Sequence, residues 1–225
     1  MWHTEYLEIK KIRKDTTELW VRGPKIKDLN FLNDYPNVKK LFLSTIKTDY
    51  LTPISKLKDL IHLELTNVGN GTNLDFISHL NKLEILRLQT PVGWDGSGKV
   101  IKYISLNPLS NLRKLKELTL LDVVFENDGL EPLIKIKSLS QLTTRNRFTT
   151  RDFAKLAKYK PDLNCQYTQP YTTLEGYEYY QCKRCKETKV EFSGIDLKRR
   201  VFCPNCNESK YKELIERFYR IKNVC

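Results

Sequence analysis

The sequence contains no uninterrupted apolar run approaching the ~18 residues that a membrane-spanning helix needs, so no transmembrane segment and no membrane partner are expected. Its start, MWHTEYLEIKK, carries charge early and lacks an apolar h-region, which predicts no signal peptide. Histidine is scarce: His3, His62 and His79 are the only three. None is paired with a Ser or Cys nucleophile in a local signature, so acid–base and nucleophilic catalysis, and enzymatic activity in general, are not expected. Cysteine is missing from most of the chain, which excludes a scattered disulfide framework; four of the six form two CxxC pairs. With no export signal, that pattern reads as metal ligation in a reducing, cytoplasmic compartment. What is present supports a packed core: 40% of residues are hydrophobic and 29% charged. Lys and Arg (39) exceed Asp and Glu (27), a net +12 that favours a partner with an acidic surface, phosphate or carboxylate.

A repeat dominates the first two thirds. LxL cores begin at Leu19, Leu41, Leu63, Leu86 and Leu118, with a degenerate sixth at Leu142, and are spaced by 22, 22, 23, 32 and 24 residues. Most copies carry an apolar residue three positions earlier (Val38, Leu60, Leu83, Leu115, Leu139), and another usually lies three after the second core position (Ile46, Val68, Pro91, Val123). In a strand, alternate side chains point to opposite faces, so the leucines go inward and the residues between them outward. One such strand cannot bury its leucines alone; neighbours must stack in parallel at ~4.8 Å per strand. The return segments have their own apolar positions and predict short helices or 3₁₀ turns, with Pro53 and Pro132 in a first helical turn.

Segments such as LTPISKLKDLIHLEL and FISHLNKLEILRL resemble the leucine-rich-repeat family, in its short bacterial internalin-type form, over about residues 15–148. The resemblance implies an α/β solenoid, a horseshoe with a parallel concave sheet that binds proteins. The Asn that many such repeats place after the strand is missing; Ile46, Val68, Pro91, Val123 and Arg147 stand there. Tyr6, Leu7, Ile9 and Ile12 read as an N-terminal capping strand, and Phe153, Leu156, Ala157 and Leu163 as a capping helix with Thr150 as N-cap, ended by Lys160-Pro161. A leucine-rich-repeat domain with both caps is thus expected over 1–165. The 32-residue spacing places an insertion in QTPVGWDGSGKVIKYISLNP. Its Gly93 to Lys99 satisfy GxxxxGK, but Val100 replaces the Ser or Thr that holds Mg²⁺, so nucleotide binding is not expected. Trp94, at the loop tip, is expected to extend a binding surface.

Residues 166–225 differ in character. Cys182-x2-Cys185 and Cys203-x2-Cys206 are separated by a hairpin-like segment in which Thr188, Val190 and Phe192 alternate. Each CxxC presents two thiolates, and together they form a tetrahedral four-thiolate site with no open position, hence a structural rather than catalytic one. About residues 177–208 resemble the zinc-ribbon family. One structural zinc ion is expected; iron in a rubredoxin-like site shares the geometry. SKYKELIERFYRIKNVC reads as an amphipathic helix with Ser209 as N-cap and a stripe of Tyr211, Leu214, Ile215, Phe218 and Ile221. Cys165 reads as a small buried hydrophobe.

Two functions from different classes follow. The favoured one is a non-enzymatic protein-interaction module. Its concave face places Trp20, Phe42, Glu64, Arg87, Thr119 and Thr143 in a central row, flanked by rows that include His62 and by Arg22 and Arg145. Trp20 and Phe42 are expected to face water, and the partner-binding set is Trp20, Arg22, Phe42, His62, Glu64, Arg87, Trp94 and Arg145. Resemblance to small bacterial leucine-rich proteins implies an immunity or inhibitor role against a toxin or effector. The alternative is nucleic-acid or transcription-related binding by the ribbon. Its basic residues would be Lys183, Arg184, Lys186, Lys189, Lys198, Arg199 and Arg200, with Tyr177, Tyr179, Tyr180, Phe192 and Phe202 stacking on bases. From residue 166 onward, 12 basic and 8 acidic residues leave +4; the rest of the chain leaves +8. The excess therefore follows length rather than one basic stripe, and lysines such as Lys56, Lys58, Lys82, Lys114 and Lys116 read as solvated convex-side charge.

Overall fold

The computed structural model describes residues 3–90, 100–176 and 178–225. The chain forms two compact units, residues 1–128 with 135–145, and residues 129–134 with 146–225.

The first unit is a leucine-rich-repeat solenoid. It opens with a four-residue helix α1 (Tyr6–Ile9), followed by strands β1 (Glu18–Arg22), β2 (Lys40–Ser44), β3 (His62–Thr66), β4 (Ile85–Gln89), β5 (Ile101–Tyr103), β6 (Glu117–Leu121), β7 (Val123–Phe125) and β8 (Gln141–Thr144). Six of these make one parallel sheet in the order β1-β2-β3-β4-β6-β8, and the small pair β5-β7 forms a second. The LxL cores lie in register: Leu41 pairs with Leu63, Leu63 with Leu86, Leu86 with Leu118 and Leu118 with Leu142. The leucines are almost wholly buried, and each stabilises by roughly 1.5–3 kcal/mol relative to exposure. In β8 the inward position after Leu142 is Thr144, whose buried hydroxyl donates to the Leu120 carbonyl at 3.2 Å, so the degenerate repeat leaves no stranded polar group there.

The returns are five-residue 3₁₀ helices at Asn30–Asp34, Thr52–Lys56, Asp75–His79, Asn107–Asn111 and Glu131–Lys135. Pro53, Pro108 and Pro132 sit near their starts, as the missing proline N–H permits. The residue after the strand takes a left-handed conformation at Thr45 (φ 57°), Asn67 (φ 56°) and Asp122 (φ 53°). Asn and Asp tolerate that region, whereas the β-branched Thr45 adopts it under strain. The next residues, Ile46, Val68 and Val123, are buried. Apolar side chains thus occupy the place of the missing Asn because the chain turns inward there.

The front edge differs from expectation. Residues 6–9 form a helical turn rather than a strand, because the Glu8 carboxylate accepts from the Thr4 amide (2.7 Å) and the Glu5 amide (3.3 Å). Strand-like pairing to β1 comes instead from His3, whose amide donates to the Trp20 carbonyl and whose carbonyl accepts from Arg22. Trp94 and the GxxxxGK segment lie outside the described residues.

The second unit contains α2 (Thr150–Tyr159), an antiparallel sheet of β9 (Tyr171–Thr173), β10 (Val190–Phe192) and β11 (Val201–Phe202), and α3 (Glu208–Val224). Its core is Val190, Phe192, Phe202 and Leu214, with Tyr171, Tyr211 and Ile215 packed on it. The α3 stripe is inward as expected, Leu214 and Phe218 being buried; the residue preceding the helix is Asn207 rather than Ser209. At α2 the N-cap is Thr149, not Thr150. Thr149 Oγ1 accepts from the Asp152 amide at 3.1 Å, and Asp152 Oδ2 accepts from the Thr149 amide at 3.0 Å, a capping box. Thr150 is buried and its hydroxyl meets the Ser193 carbonyl (3.0 Å) and Asp196 (2.8 Å). The contact boundary therefore falls at 145/146, while the change in composition falls at 165/166.

Candidate functional site

Two arrangements bring functional residue types together, one in each unit. In the second unit, the Sγ atoms of Cys182, Cys185, Cys203 and Cys206 all lie within 4.8 Å of one another. Cys182 to Cys206 is 3.7 Å, Cys185 to Cys203 3.4 Å and Cys185 to Cys206 3.5 Å. A tetrahedral four-thiolate site with ~2.3 Å metal–sulfur bonds has sulfur–sulfur edges of about 3.8 Å. The observed edges approach that value and are far beyond a ~2.05 Å disulfide bond.

Both CxxC pairs fold into the same knuckle. The Lys186 amide donates to the Cys182 carbonyl (2.9 Å) and the Asn207 amide to the Cys203 carbonyl (3.0 Å). In the second knuckle the Cys206 amide points at Cys203 Sγ, 3.3 Å away. In the first, the amides of Cys185 and Arg184 hold the Cys182 thiol down to about 6. Cys206 is pushed up to about 12 by the sulfurs of Cys185 and Cys182 facing it. Four converging sulfurs repel as thiolates unless a cation sits among them, and the amides already favour the anionic form of the first. The donor set and spacing fit a thiophilic divalent ion.

In the first unit, the expected central row exists: Trp20, Phe42, Glu64, Arg87, Thr119 and Thr143 are successive register partners. Its exposure is not as expected. The Trp20 and Phe42 rings stack at 3.6 Å and 9°, and His62 meets the Phe42 ring edgewise at 4.8 Å. Phe42 is consequently only 6% exposed, covered by its neighbours in the row. Trp20 is the half-exposed lid, held by its indole N–H donating to Glu18 at 2.6 Å. The His62 Nε2 is buried without a hydrogen-bond partner. Burial lowers its pKa, and the Arg87 charge lowers it further. That is a neutral packing ring, not a base oriented by a carboxylate.

The rest of the face is mostly polar, with Ile85 and Leu121 half-buried among its outward positions, and several of its charges pair with one another. Glu64 accepts from Gln89 (2.9 Å) and Thr66 (3.2 Å) and lies 3.5 Å from Arg87. Glu18 lies 3.5 Å from Lys40, and Arg145 3.7 Å from Asp122. Arg87, Glu117, Thr119, Gln141 and Thr143 line a shallow pocket of about 260 Å³. Arg22 lines a different, open cleft of about 870 Å³ where the first strands end, with Lys27, Thr45, Lys47, Asp49 and Asn67.

The nucleic-acid stacking set is reduced by the structure. Phe192 and Phe202 are core residues, 1% and 6% exposed. They fill the face that antiparallel β10 and β11 turn toward α3. Arg199 lies over the Phe202 ring (5.1 Å), Lys189 donates to the Tyr179 carbonyl (2.9 Å) and Arg200 to the Asn146 carbonyl (2.7 Å). Tyr179 is exposed and Tyr180 half-buried; Tyr177 lies outside the described residues.

Sequence reasoning missed Asn146. It is buried, donates to the Phe192 carbonyl (2.8 Å) and accepts the Gly194 amide (2.7 Å), so one side chain pins the hairpin between the CxxC pairs. Nothing periodic marks it; a polar residue breaking the inward row after Thr144 is its only signal.

No family model matches the chain, and no curated protein matches it. Among solved structures it is similar to internalin C2 of Listeria monocytogenes (21% identity over 65% of this chain and 58% of that one, TM-score 0.49). It is also similar to internalin F of the same organism (19%, 68% and 48%, TM-score 0.49) and to the plant peptide hormone receptor RGFR1 in complex with RGF2 (16%, 68% and 28%, TM-score 0.42). The chain spans less than two thirds of the length of each. No helix among the described residues is long and apolar enough to cross a membrane.

Proposed function

We propose that this chain is a non-enzymatic protein-interaction module that grips a protein partner on its concave strand face, with one structural zinc ion held by Cys182, Cys185, Cys203 and Cys206. The observation that carries the binding reading is the half-exposed Trp20, stacked on a buried Phe42 and flanked by charged and polar residues in register. A rigid aromatic lid with a polar surround is the anatomy of an interface anchor. His62 closes the ladder beside Phe42, Glu64 and Arg87 continue the row on the next strands, and Arg22 and Arg145 follow at strand ends; Trp94, outside the described residues, completes the proposed set. The neutral, packed state of His62 supports a binding rather than a catalytic face. For the cysteine centre, the sulfur spacing and the duplicated knuckle support a closed, structural site, and zinc is the ion that four thiolates in a tetrahedron hold most commonly.

The finer reading is an immunity or inhibitor protein acting in the cytoplasm, in which the gripped partner is a toxin or effector. Affinity capture from the native host, with Trp20→Ala and Arg87→Ala in parallel, tests the binding reading. Trp20→Ala uncovers Phe42 and should lower melting, so loss of the captured partner by Arg87→Ala with unchanged melting, and by Trp20→Ala at a temperature where the variant stays folded, supports it. Partner capture that survives both substitutions but is lost on removing residues 166–225 overturns it. Metal analysis of the purified chain tests the centre: one zinc per chain is expected, and iron or no metal overturns the assignment.

A further inference from the structure

The net charge of this chain is not spread as its sequence suggests. Each return helix ends in a turn that leads into the next strand. In the third to sixth repeats these turns are residues 56–61, 79–84, 111–116 and 135–140, and all belong to the first unit. They contain eight cations (seven Lys and Arg113) against Asp59 and Glu84, a net +6, half of the +12 of the whole chain. The equivalent turn before β2, residues 34–39, is neutral, with Asp34 and Lys39.

Stacking brings these segments side by side. The Glu84 amide donates to the Ile61 carbonyl (2.8 Å), the Lys116 amide to Glu84 (2.9 Å) and the Ser140 amide to Lys116 (3.0 Å). Side chains bridge the same steps: Lys82 to Asp59, Lys116 to Glu84 at 2.7 Å, and Ser138 to the Leu115 carbonyl at 2.8 Å. These bridges use both anions. Lys56, Lys58, Arg113, Lys114, Lys135 and Lys137 are exposed and have no ion-pair partner among the described residues. Six cations without an ion-pair partner, on three of these four stacked turns, repel one another, and a fold gains nothing from collecting them on one edge.

The geometry points to this strand-entry edge as a binding surface for duplex nucleic acid, contacted through its phosphate backbone and without sequence preference. Three properties select that partner. The edge is mostly lysine and has no aromatic side chain among its turn positions other than His79, whereas protein interfaces deplete lysine and centre on aromatic or apolar anchors. The same lack of rings excludes the base stacking by which single strands are held. The cations also recur linearly: three repeat steps at ~4.8 Å cover about 14 Å, or about four base-pair rises of a duplex. The inference is independent of the concave-face reading and uses none of its residues.

The test uses the full chain and a labelled 20-base-pair duplex of arbitrary sequence, titrated at 50 and 200 mM salt. For about four phosphate contacts, affinity should fall by roughly 150-fold between those conditions. The variant Lys58→Glu/Arg113→Glu/Lys114→Glu/Lys137→Glu should lose at least about 100-fold at 50 mM salt, since each reversal removes one contact and adds a repulsion. Its melting should change little, because these side chains are exposed and hold no ion pair among the described residues. A ribbon variant, Lys183→Glu/Arg184→Glu/Lys186→Glu, should bind within a few-fold of the parent chain. Absence of duplex binding at 50 mM overturns the inference. So does loss in the ribbon variant with retention in the edge variant. Competition by polyglutamate as effective as that by duplex would assign the edge to an acidic protein instead and also overturn it.

Discussion

Phe42 and His62 show what one side chain owes to its neighbours in adjoining repeats. Both occupy outward positions of their strands, yet the ladder Trp20–Phe42–His62 removes Phe42 from water and half-buries His62. Phe42→Ala should therefore cost about 3 kcal/mol, the low end for a buried Phe, as an outward strand position with nothing over it would not. Denaturant unfolding followed by the Trp signal measures this; a loss below about 1 kcal/mol would show the ring to be solvated. His62 makes a pH prediction. Its folded pKa lies below the unfolded value, so between the two the unfolded chain binds the proton and the folded chain does not. Stability from this group is whole above the unfolded value of about 6.5 and is lost as pH falls below it. The parent chain should lose more melting temperature than His62→Gln between pH 7.5 and 5.5; equal losses would contradict the burial account.

At the scale of elements, the strands were legible because alternation is a local property: each LxL states its own facing, and each return announces itself by a Pro or a pair of leucines. The two CxxC pairs were legible for the same reason, since four residues of spacing make a knuckle wherever they lie. Element ends were less so. Thr149 and Thr150 are adjacent and chemically identical, and the choice of N-cap depends on Asp196 and Ser193, more than forty residues away, which take the hydroxyl of Thr150. Asp152 also has a second duty, accepting the Leu130 amide at 3.1 Å beside closing the box. Thr149→Ala should thus cost about 1 kcal/mol and Asp152→Ala distinctly more, about 2 kcal/mol, because it strands a second amide. Equal costs in chemical denaturation would mean that the Leu130 contact contributes nothing. The cover over Phe42 was hidden for a related reason: it is made by a residue 22 positions earlier in the chain.

For the molecule as a whole, counting charge on either side of residue 166 was misleading because the solenoid reorders its turns. Residues spread over 56–140 become neighbours only once the strands are stacked. The cysteine centre predicts a separable response to metal removal. The small sheet of β9 to β11 buries few residues, so the metal supplies part of its folding free energy. A strong chelator should expose residues 175–210 to protease while the repeats stay resistant, and a ribbon still protected in chelator would contradict the structural role. The division is expected because the repeats draw their stability from neighbour-to-neighbour leucine contacts that do not involve the sulfurs.

Because the inward leucines set the register, most letters between them can change without disturbing it. Glu64, Arg87, Thr119 and Thr143 each stand in a separate repeat, one per strand, spaced like type on a line. A lineage meeting a new partner resets that line a character at a time and keeps its backbone. Phe42 is the exception, a letter that has become part of the binding of the book.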